Sequence, residues 1–390
     1  MMKEYDTIVA GYLCVDLVPR FQKEDQETNH FSFFTPGRLI EINGVDFFLG
    51  GMVANTGFAL KKFNKKVFLN GLIGDDVIGK VAREMLDSHQ LLEGIHIANE
   101  EGTAVGIVIA PHGIDRIFLE STGCSKIFDI NFIDFEAISK GRLFHFGYPP
   151  LLRQFYLNDG EQLLKMFSMV KEMGVVTSMD FSLPDTQSES GRQDWPLIMK
   201  KVLPFIDIFV PSVEEILQIM MPDEYDRILS SSGNSDIIDL IPVSTIREIG
   251  EMIIDLGVKI LLIKVGHRGI YLLCGNISIL NKETGLGLDE TAWKNCELWC
   301  DAYPADTQRL INSIGAGDIA AAGFLAAVLD GTNAETAMKY AAIAGRNSLY
   351  CNNIYQDLDN WESMERTMNT ESIEMVTFCK ENKLLDSKSI

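Results

Sequence analysis

Short apolar segments alternate with longer amphipathic segments along most of the chain. Residues 7–11 and 260–265 have the length and apolar character of buried strands. Residues 160–173 and 244–256 instead repeat apolar positions at helical spacing. This alternation predicts an α/β fold with a doubly wound, mostly parallel sheet.

Two regions depart from this pattern because they are rich in strand-forming and turn residues. These are residues 15–48 and 103–120, which are far apart in the sequence. We expect them to pair as a small β-rich lid over a substrate site. The remaining residues, 1–14, 49–102 and 121–390, are predicted to form the α/β core.

Composition favours an ordered enzyme and limits its partners. Of 390 residues, 46% are apolar, which is sufficient for a large buried core. The formal net charge of -21 argues against non-specific binding to nucleic acid or to an anionic membrane. A polyanionic ligand would therefore need a local site built from backbone N–H groups, a helix N-terminus or a metal ion.

The N-terminal sequence and the cysteines predict a cytoplasmic protein. The first residues lead directly into an apolar strand and lack the layout of a signal peptide, and no apolar run is long enough to span a membrane. Seven cysteines with scattered spacing do not indicate a disulfide framework. Cys296 and Cys300 have no further ligands nearby at zinc-binding spacing.

A glycine-rich turn leading into an alanine-rich helix is the strongest candidate for a functional site. It comprises residues 312–318, Asn-Ser-Ile-Gly-Ala-Gly-Asp. Small residues and free N–H groups at a helix N-terminus favour an anion, which a carboxylate at Asp318 should repel. Asp318 fits there if it accepts a proton from an attacking hydroxyl group, although an aspartate near a helix start is also a common cap.

Residues 312–325 resemble the C-terminal signature of the ribokinase/PfkB family of carbohydrate kinases. The resemblance implies a ribokinase-like fold, ATP and Mg²⁺ as cofactors, and Asp318 as the catalytic base. It also implies that Gly315, Ala316 and Gly317 form an anion hole. Asn312 stands where the family more often has aspartate, which weakens the expectation of a monovalent-cation site at this turn.

The acceptor side of the implied site rests on two further segments. Residues 50–56, Gly-Gly-Met-Val-Ala-Asn-Thr, resemble the N-terminal signature of the family. This likeness implies that Gly50, Gly51 and Asn55 contact substrate hydroxyl groups. Asp16 follows the first strand, where ligands collect in open α/β sheets. The resemblance implies that it accepts two sugar hydroxyl groups.

The implied metal and nucleotide sites lie later in the chain. Residues 211–215 resemble the Asn-x-x-Glu motif of the family, which makes Glu215 a candidate for binding magnesium through water. Ser212 replaces the usual asparagine. The strand–turn–strand of residues 264–269 is similar to the segment beneath the nucleotide. By that resemblance the nucleotide-binding candidates are Lys264, Gly266, Gly269 and, in a helix expected to flank adenine, Asn347.

Three residues remain with alternative interpretations. Arg116, on the predicted lid, could reach over a sugar or an acidic group, or pair with Asp115. Tyr148 follows a strand and is expected to line the acceptor pocket. Asp180 could line the same pocket or simply end its strand.

Together, these features predict ATP-dependent phosphorylation of a hydroxyl group on a sugar or sugar derivative. The alternatives are a nucleoside or phosphosugar kinase of the same fold, and a non-catalytic regulatory protein that binds a sugar or nucleotide. Because the lid of the family can pair between subunits, a homodimer formed through the lid is a further expectation.

Overall fold

A computed structural model describes residues 3–21, 36–37, 39–109, 117–233, 235–311 and 313–378. Within these ranges the chain forms a ten-stranded sheet with helices on both faces, and a separate four-stranded sheet. The predicted α/β class and the small second sheet are therefore confirmed. None of the helices in these ranges is long and apolar enough to cross a membrane.

The strands follow the predicted alternation with helices. In chain order they are β1 (Tyr5–Gly11), β2 (Cys14–Phe21), β3 (Ile42–Gly50), β4 (Val67–Gly74), β5 (Gly94–Ala98), β6 (Val105–Ile109), β7 (Ile117–Ser121), β8 (Gly141–Gly147), β9 (Val176–Met179), β10 (Ile208–Phe209), β11 (Ile260–Lys264), β12 (Ile270–Cys274), β13 (Glu297–Cys300) and β14 (Met375–Thr377).

The α-helices connect these strands and cover both faces of the large sheet. They are α1 (Gly51–Lys62), α2 (Val77–Ser88), α3 (Phe135–Ser139), α4 (Arg153–Glu172), α5 (Trp195–Val202), α6 (Val213–Met220), α7 (Pro222–Ser232), α8 (Ile237–Leu240), α9 (Val243–Asp255), α10 (Ile277–Thr284), α11 (Glu290–Trp293), α12 (Ala316–Leu329), α13 (Ala334–Ser348), α14 (Ile354–Asp357) and α15 (Trp361–Thr370).

The large sheet has the order β14-β13-β12-β11-β10-β9-β8-β1-β4-β5. The strands from β11 to β5 run parallel, whereas β12, β13 and β14 are antiparallel to their neighbours. The carboxyl ends of the seven parallel strands therefore share one edge, where open α/β sheets bind ligands.

Two apolar clusters hold helices against opposite faces of the large sheet. One contains buried residues of α1, α12 and α13, such as Met52, Phe324 and Ile343. The other contains buried residues of α4 and α9, such as Phe167 and Ile249. Parallel strands covered on both faces are expected to be continuously apolar, as the first four residues of β11 are.

The second sheet pairs the two regions that the sequence singles out. Its order is β3-β2-β6-β7, with β2 parallel to β6 and antiparallel to β3. Val15 lies opposite both Leu49 and Val105, so segments 90 positions apart meet in one sheet. In the described part of residues 15–48 and 103–120, β2 and β3 thus lie in one sheet with β6 and β7.

One predicted helix differs in its start. The apolar spacing places a helix at residues 160–173, but α4 begins at Arg153. The backbone leaves helical geometry between Leu157 and Gly160, where Asn158 and Asp159 both have a φ of 54°. Asparagine and aspartate tolerate this left-handed conformation better than most residues, so the sequence supports a break at this point.

Candidate active site

The glycine-rich turn forms the N-terminus of helix α12. Gly315 has a φ of +69°, a left-handed conformation that a residue with a Cβ adopts at a cost. Asp318 lies in the first turn of the helix and is only 1% exposed. The alanine-rich sequence allows α12 to pack closely on α13, because a Cβ on Gly323 would lie 2.8 Å from the carbonyl oxygen of Tyr340.

Two hydrogen bonds fix the carboxylate of Asp318. Asn55 of α1 donates from Nδ2 to Oδ2 at 2.9 Å, and Tyr148, just after β8, donates its hydroxyl hydrogen to Oδ1 at 2.8 Å. Burial and the nearby charge of Asp180 raise the pKa of Asp318 to about 6, while Lys264 and the two donors oppose that shift. The carboxylate is thus buried, oriented and mostly ionised at neutral pH.

Tyr148 is held in an unusual backbone conformation. Its φ is 62°, which is uncommon for an aromatic residue. Its ring stacks against that of Tyr12, with 6.4 Å between centroids, and Tyr12 in turn donates its hydroxyl hydrogen to Glu120 on β7. This chain of contacts links Asp318 to the small sheet.

A first cavity lies between the small sheet and helix α1. Its polar lining includes Asp16 and Asn55, and its other walls are mainly apolar: Val18, Phe48, Leu49, Ile314, Cys351, Ile354 and Tyr355. Of the residues expected to contact an acceptor, Asp16 and Asn55 line this cavity, whereas Gly50, Gly51 and Tyr148 do not. In the described part of the chain, no lysine or arginine lines this cavity.

Asp16 is enclosed by two glycines of neighbouring strands. A Cβ on Gly50 would lie 2.2 Å from its Oδ2, and a Cβ on Gly106 would lie 2.4 Å from its Oδ1. Burial, followed by the charge of Glu120, raises the pKa of Asp16 to about 7.

Gly51 begins helix α1 in a conformation that requires glycine. Its φ is +77°, and a Cβ there would lie 2.6 Å from the carbonyl oxygen of Tyr12. The paired glycines at positions 50 and 51 thus allow β2 and α1 to approach each other beside the cavity.

A second cavity of about 520 Å³ lies on the other side of the glycine-rich turn. This volume is in the range typical of small-molecule sites. Lys264, Gly266 and Gly269 line it, together with Ala316 and Gly317 of the turn. Much of the remaining wall consists of small or apolar residues, including Ala302, Ala320, Ala341, Ala342, Gly345 and Leu349.

Lys264 and Asp180 form a buried ion pair at this edge of the sheet. The ammonium group lies 2.8 Å from each carboxylate oxygen of Asp180, whose side chain has no exposed surface. Burial opposes the charged form of Lys264, but the carboxylates of Asp180, Glu215 and Asp318 outweigh it and raise the pKa of the lysine. Lys264 therefore carries a charge beside the turn.

Glu215 is partly committed to the start of helix α6. Its Oε2 accepts a hydrogen bond from the backbone N–H of Ser212 at 2.7 Å, and Ser212 Oγ accepts from the N–H of Glu215. These contacts form a capping box. Burial, opposed by Lys264, raises the pKa of Glu215 to about 7. Within the described ranges, no group of three or more acidic, histidine or cysteine residues is arranged to hold a metal ion.

Not every expected residue lies at these cavities. The side chain of Asn347 donates to Asp359 at 2.8 Å, and it is the neighbouring Arg346 that lines the larger cavity. Arg116 and Asn312 lie outside the described residues, so the expectations for them stay predictions.

Several residues at the site carry no signal in the sequence. Tyr12 and Glu120 meet only because β7 joins the small sheet. Tyr355, which lines the first cavity, lies in the short helix α14 near the end of the core. Asp180 is buried and lines neither cavity, and it contacts Lys264, which lines the larger one.

Comparison with known proteins identifies the fold. No family model matches the chain. Among solved structures, Arabidopsis thaliana ribokinase complexed with ribose and ATP is similar over 93% of this chain and 98% of its own, with 18% identity and a TM-score of 0.66. A putative ribokinase II from E. coli in complex with ATP and Mg²⁺ has 18% identity and a TM-score of 0.66, covering 94% of this chain and 100% of its own.

A nucleoside kinase from Methanocaldococcus jannaschii is similar over 95% of this chain and 100% of its own. Its identity is 15% and its TM-score 0.64. The similarity extends over nearly the whole length of each of these three structures. The chain therefore has the ribokinase fold.

Proposed function

We propose that the chain transfers a phosphoryl group from ATP to a hydroxyl group of a sugar or sugar derivative. The observation that carries this proposal is the position of Asp318, buried at the turn that separates two cavities. Asn55 and Ile314 line the smaller cavity, whereas Ala316 and Gly317 line the larger one. A general base in phosphoryl transfer belongs between the acceptor and the donor.

The smaller cavity would hold the acceptor. Asp16 and Asn55 offer oxygen and nitrogen atoms to its hydroxyl groups, and the glycine at 50 leaves room for the carboxylate of Asp16 beside the cavity. Asp318 then accepts the proton of the attacking hydroxyl group. With a pKa of about 6, it is mostly ionised at neutral pH and close to the value that suits a general base.

The larger cavity would hold the nucleotide. The N-terminus of α12 offers free N–H groups and the positive end of the helix dipole, and Gly315–Gly317 leave space for close approach of an anion. Lys264 adds a positive charge beside Gly317, and Gly266 and Gly269 allow the neighbouring turn to lie against the cavity. These groups match the charge of a transferring phosphoryl group.

The residues present fit a magnesium ion bound largely by ATP and water. Magnesium usually takes one or two protein carboxylates together with substrate phosphates, and Glu215 is the carboxylate available here. Burial raises the pKa of this carboxyl group to about 7, and the nearby charge of Lys264 opposes the shift. Magnesium would neutralise phosphate charge when bound.

The charge of the acceptor cavity favours a neutral acceptor over a phosphorylated one. Asp16 and Glu120 lie close together, and the described lining has no basic side chain. A sugar phosphate would be repelled by these carboxylates. The apolar wall that contains Phe48 and Tyr355 keeps a nucleoside as the second candidate, since it could hold a base.

The test is ADP production from MgATP with a panel of sugars, sugar acids and nucleosides. Asp318→Asn should lower kcat by roughly 10²–10⁴-fold, the usual range for a positioned base. Asp330→Asn is a matched control, because Asp330 caps the far end of α12 and pairs with Lys65 at the surface. A binding protein without turnover would instead bind ligand equally well with either residue at position 318.

We also propose that the small sheet joins two copies of the chain. The face opposite Asp16 is apolar and exposed: Phe47 is 41% and Leu119 is 51% exposed. The strand register connects them, since Phe47 lies opposite Leu17, Leu17 opposite Ile107, and Ile107 opposite Leu119. A continuous apolar surface of this kind is typical of a protein interface.

Light scattering after size-exclusion chromatography tests the dimer. The wild-type protein should elute at twice the chain mass of 43.6 kDa, and the double variant Phe47→Glu/Leu119→Glu should be monomeric. Leu229→Glu, at an exposed position on α7, is the control and should stay dimeric. A wild-type protein that is monomeric at tens of micromolar would contradict the proposal.

A further inference from the structure

The large sheet carries two buried aspartate–lysine pairs, one at each end of its parallel strands. Asp180 follows the carboxyl end of β9 and pairs with Lys264 at the carboxyl end of β11. Asp207 precedes the amino end of β10 and pairs with Lys171. Both aspartates lack exposed surface. The two pairs share their chemistry but lie at opposite edges.

Only the first pair faces the glycine-rich turn. A Cβ on Gly317 would lie 3.3 Å from Nζ of Lys264, so the ammonium group lies next to the turn. Glu215 and Asp318 lie near enough to raise the pKa of the lysine. One ammonium group is thus surrounded by three carboxylates, and the one that it contacts at 2.8 Å through both oxygens is Asp180.

The carboxylate of Asp180 is itself fixed by the backbone. The N–H of Phe181 donates to its Oδ1 at 2.8 Å, and the N–H of Asp180 donates to the carbonyl oxygen of Phe146 on β8. These contacts hold the aspartate to the end of the sheet. A lysine side chain has four flexible bonds, so its ammonium group takes its position from its partner.

We propose that Asp180 is a positioning residue that holds the charge of Lys264 beside the Gly315–Gly317 turn, where the γ-phosphoryl group of the nucleotide binds. This inference rests on the proposed kinase function and assigns separate roles to the charged residues beside the turn. A buried ion pair is costly and adds little to stability by itself. The position of the Asp180–Lys264 pair beside the turn gives a functional reason for burying it.

The alternative partners of Lys264 explain why a dedicated aspartate is needed. A direct pair between Lys264 and Asp318 would hold the base away from the acceptor, and a pair with Glu215 would occupy the magnesium carboxylate. Asp180 keeps the ammonium group charged and separate from both. It acts only through Lys264.

A double-mutant cycle on kcat tests whether Asp180 acts only through Lys264. Lys264→Met should lower kcat by roughly 10²–10³-fold, as does the loss of one group that stabilises transition-state charge. Asp180→Asn should lower it by roughly 10–100-fold through misplacement of the ammonium group. In the Lys264→Met background, Asp180→Asn should cause no further loss, because the residue through which it acts is gone.

Two outcomes would overturn the proposal. In one, Asp180→Asn lowers kcat by the same factor with lysine and with methionine at position 264. In the other, Asp180→Asn has the wild-type rate. If Asp180→Asn does not fold, Asp180→Glu replaces it in the cycle, because it retains the charge and moves the carboxylate by one methylene. Circular dichroism and thermal unfolding show which variants are folded.

The second pair supplies the control for a merely structural role. Asp207→Asn also weakens a buried contact to lysine, but Lys171 keeps Glu283 as a partner at 2.9 Å. Asp207→Asn should lower the thermal stability and leave kcat and both KM values within about twofold of wild type. If it lowers kcat as much as Asp180→Asn does, the effect of Asp180 is on the sheet and not on Lys264.

Nucleotide affinity separates a failure of this inference from a failure of the kinase function. The dissociation constants of Mg²⁺–ADP and of a non-hydrolysable Mg²⁺–ATP analogue are measured by calorimetry for all four proteins of the cycle. Lys264→Met and Asp180→Asn should each weaken the binding of the analogue more than the binding of ADP. The double variant should have the same affinities as Lys264→Met. This pattern without acceptor-dependent turnover rejects the kinase but keeps the inference. Acceptor-dependent turnover, combined with equal weakening of the binding of both ligands, rejects the inference about Asp180 but keeps the kinase function.

Discussion

Nδ2 of Asn55 donates a hydrogen bond to Oδ2 of Asp318 at 2.9 Å, and this contact joins helix α1 to helix α12 across 263 positions of sequence. Asn55 also lines the smaller cavity, which we propose holds the acceptor. One amide group is therefore placed to contact the acceptor and to orient the base. With Tyr148 bound to the other oxygen, the carboxylate is fixed before any ligand arrives.

The first prediction is a loss of activity at acidic pH. Asp318 has to be ionised to accept a proton, and its pKa is about 6. Asp16, with a pKa of about 7, is ionised over nearly the same range. We expect kcat/KM for the acceptor to be constant near pH 8 and to fall as the pH decreases through 7 and 6. A profile that stays flat down to pH 5 would contradict the role of Asp318.

The second prediction concerns the hydroxyl group of Tyr148. Its hydrogen bond favours the ionised form of Asp318 and so lowers the pKa of that carboxyl group. Tyr148→Phe should therefore move the acidic limb of the kcat profile to higher pH, with a smaller loss of rate at pH 8 than at pH 6.5. The measurement is kcat against pH for both proteins at saturating acceptor.

Tyr156→Phe is the matched control for that prediction. Tyr156 also bonds a carboxylate, Glu189, but at 3.4 Å and away from both cavities. Removal of the Tyr156 hydroxyl group should leave the dependence of kcat on pH unchanged. An unchanged profile for Tyr148→Phe as well would mean that its hydroxyl group has no influence on the base.

Local sequence predicts the glycine-rich turn and its helix because all their determinants are contiguous. Gly315 supplies the left-handed residue, and the alanines that follow favour a closely packed helix. The same holds for Gly51 at the start of α1. The alternation of strands and helices likewise depends on local periodicity, which is why the α/β class could be predicted.

The contacts around these motifs depend instead on the order of the strands. Asp180 and Lys264 meet because β10 alone lies between β9 and β11, and no local pattern encodes that order. Tyr12 reaches Glu120 only after β7 has paired with β6. Asn347 gives a similar example. Local sequence predicts the helix that carries it, but its side chain is directed by a hydrogen bond to Asp359, which local sequence does not predict.

The third prediction concerns the glycines that enclose Asp16. A Cβ at position 50 or at position 106 would lie within 2.4 Å of one of its carboxylate oxygens, so the carboxylate has to move in either variant. Gly50→Ala and Gly106→Ala should each raise KM for the acceptor by roughly tenfold or more, the effect of losing one hydrogen bond to a charged group. KM for ATP should be unchanged.

The agreement between these two variants is itself the control. They add a methyl group on different strands, β3 and β6, but displace the same side chain. Steady-state kinetics with each substrate varied in turn measures both KM values. If only one variant raises KM for the acceptor, the cause is local to its strand, and Asp16 is not the group responsible.

The last prediction is that the buried carboxylate of Asp318, our proposed general base, lowers the stability of the fold. The pKa of Asp318 is raised from an ordinary value of 3.8 to about 6. Its favourable contribution to the free energy of unfolding is therefore complete below pH 3.8 and is lost as the pH rises through 6. At pH 8, the ionised form costs up to about 3 kcal/mol relative to a neutral group.

Asp318→Asn removes this charge while its amide can still accept from Asn55 and donate to the oxygen of Tyr148. The variant should therefore unfold at a higher temperature than wild type at pH 8, by roughly 2–4 °C. That gain should fall to roughly half at pH 5, where the carboxyl group is mostly protonated in the folded chain but still ionised in the unfolded chain, and it should vanish only below pH 3.8. Thermal unfolding at both pH values, with Asp330→Asn as the control on the same helix, measures the difference. A gain of equal size at both pH values would show that the charge of Asp318 is not its cause.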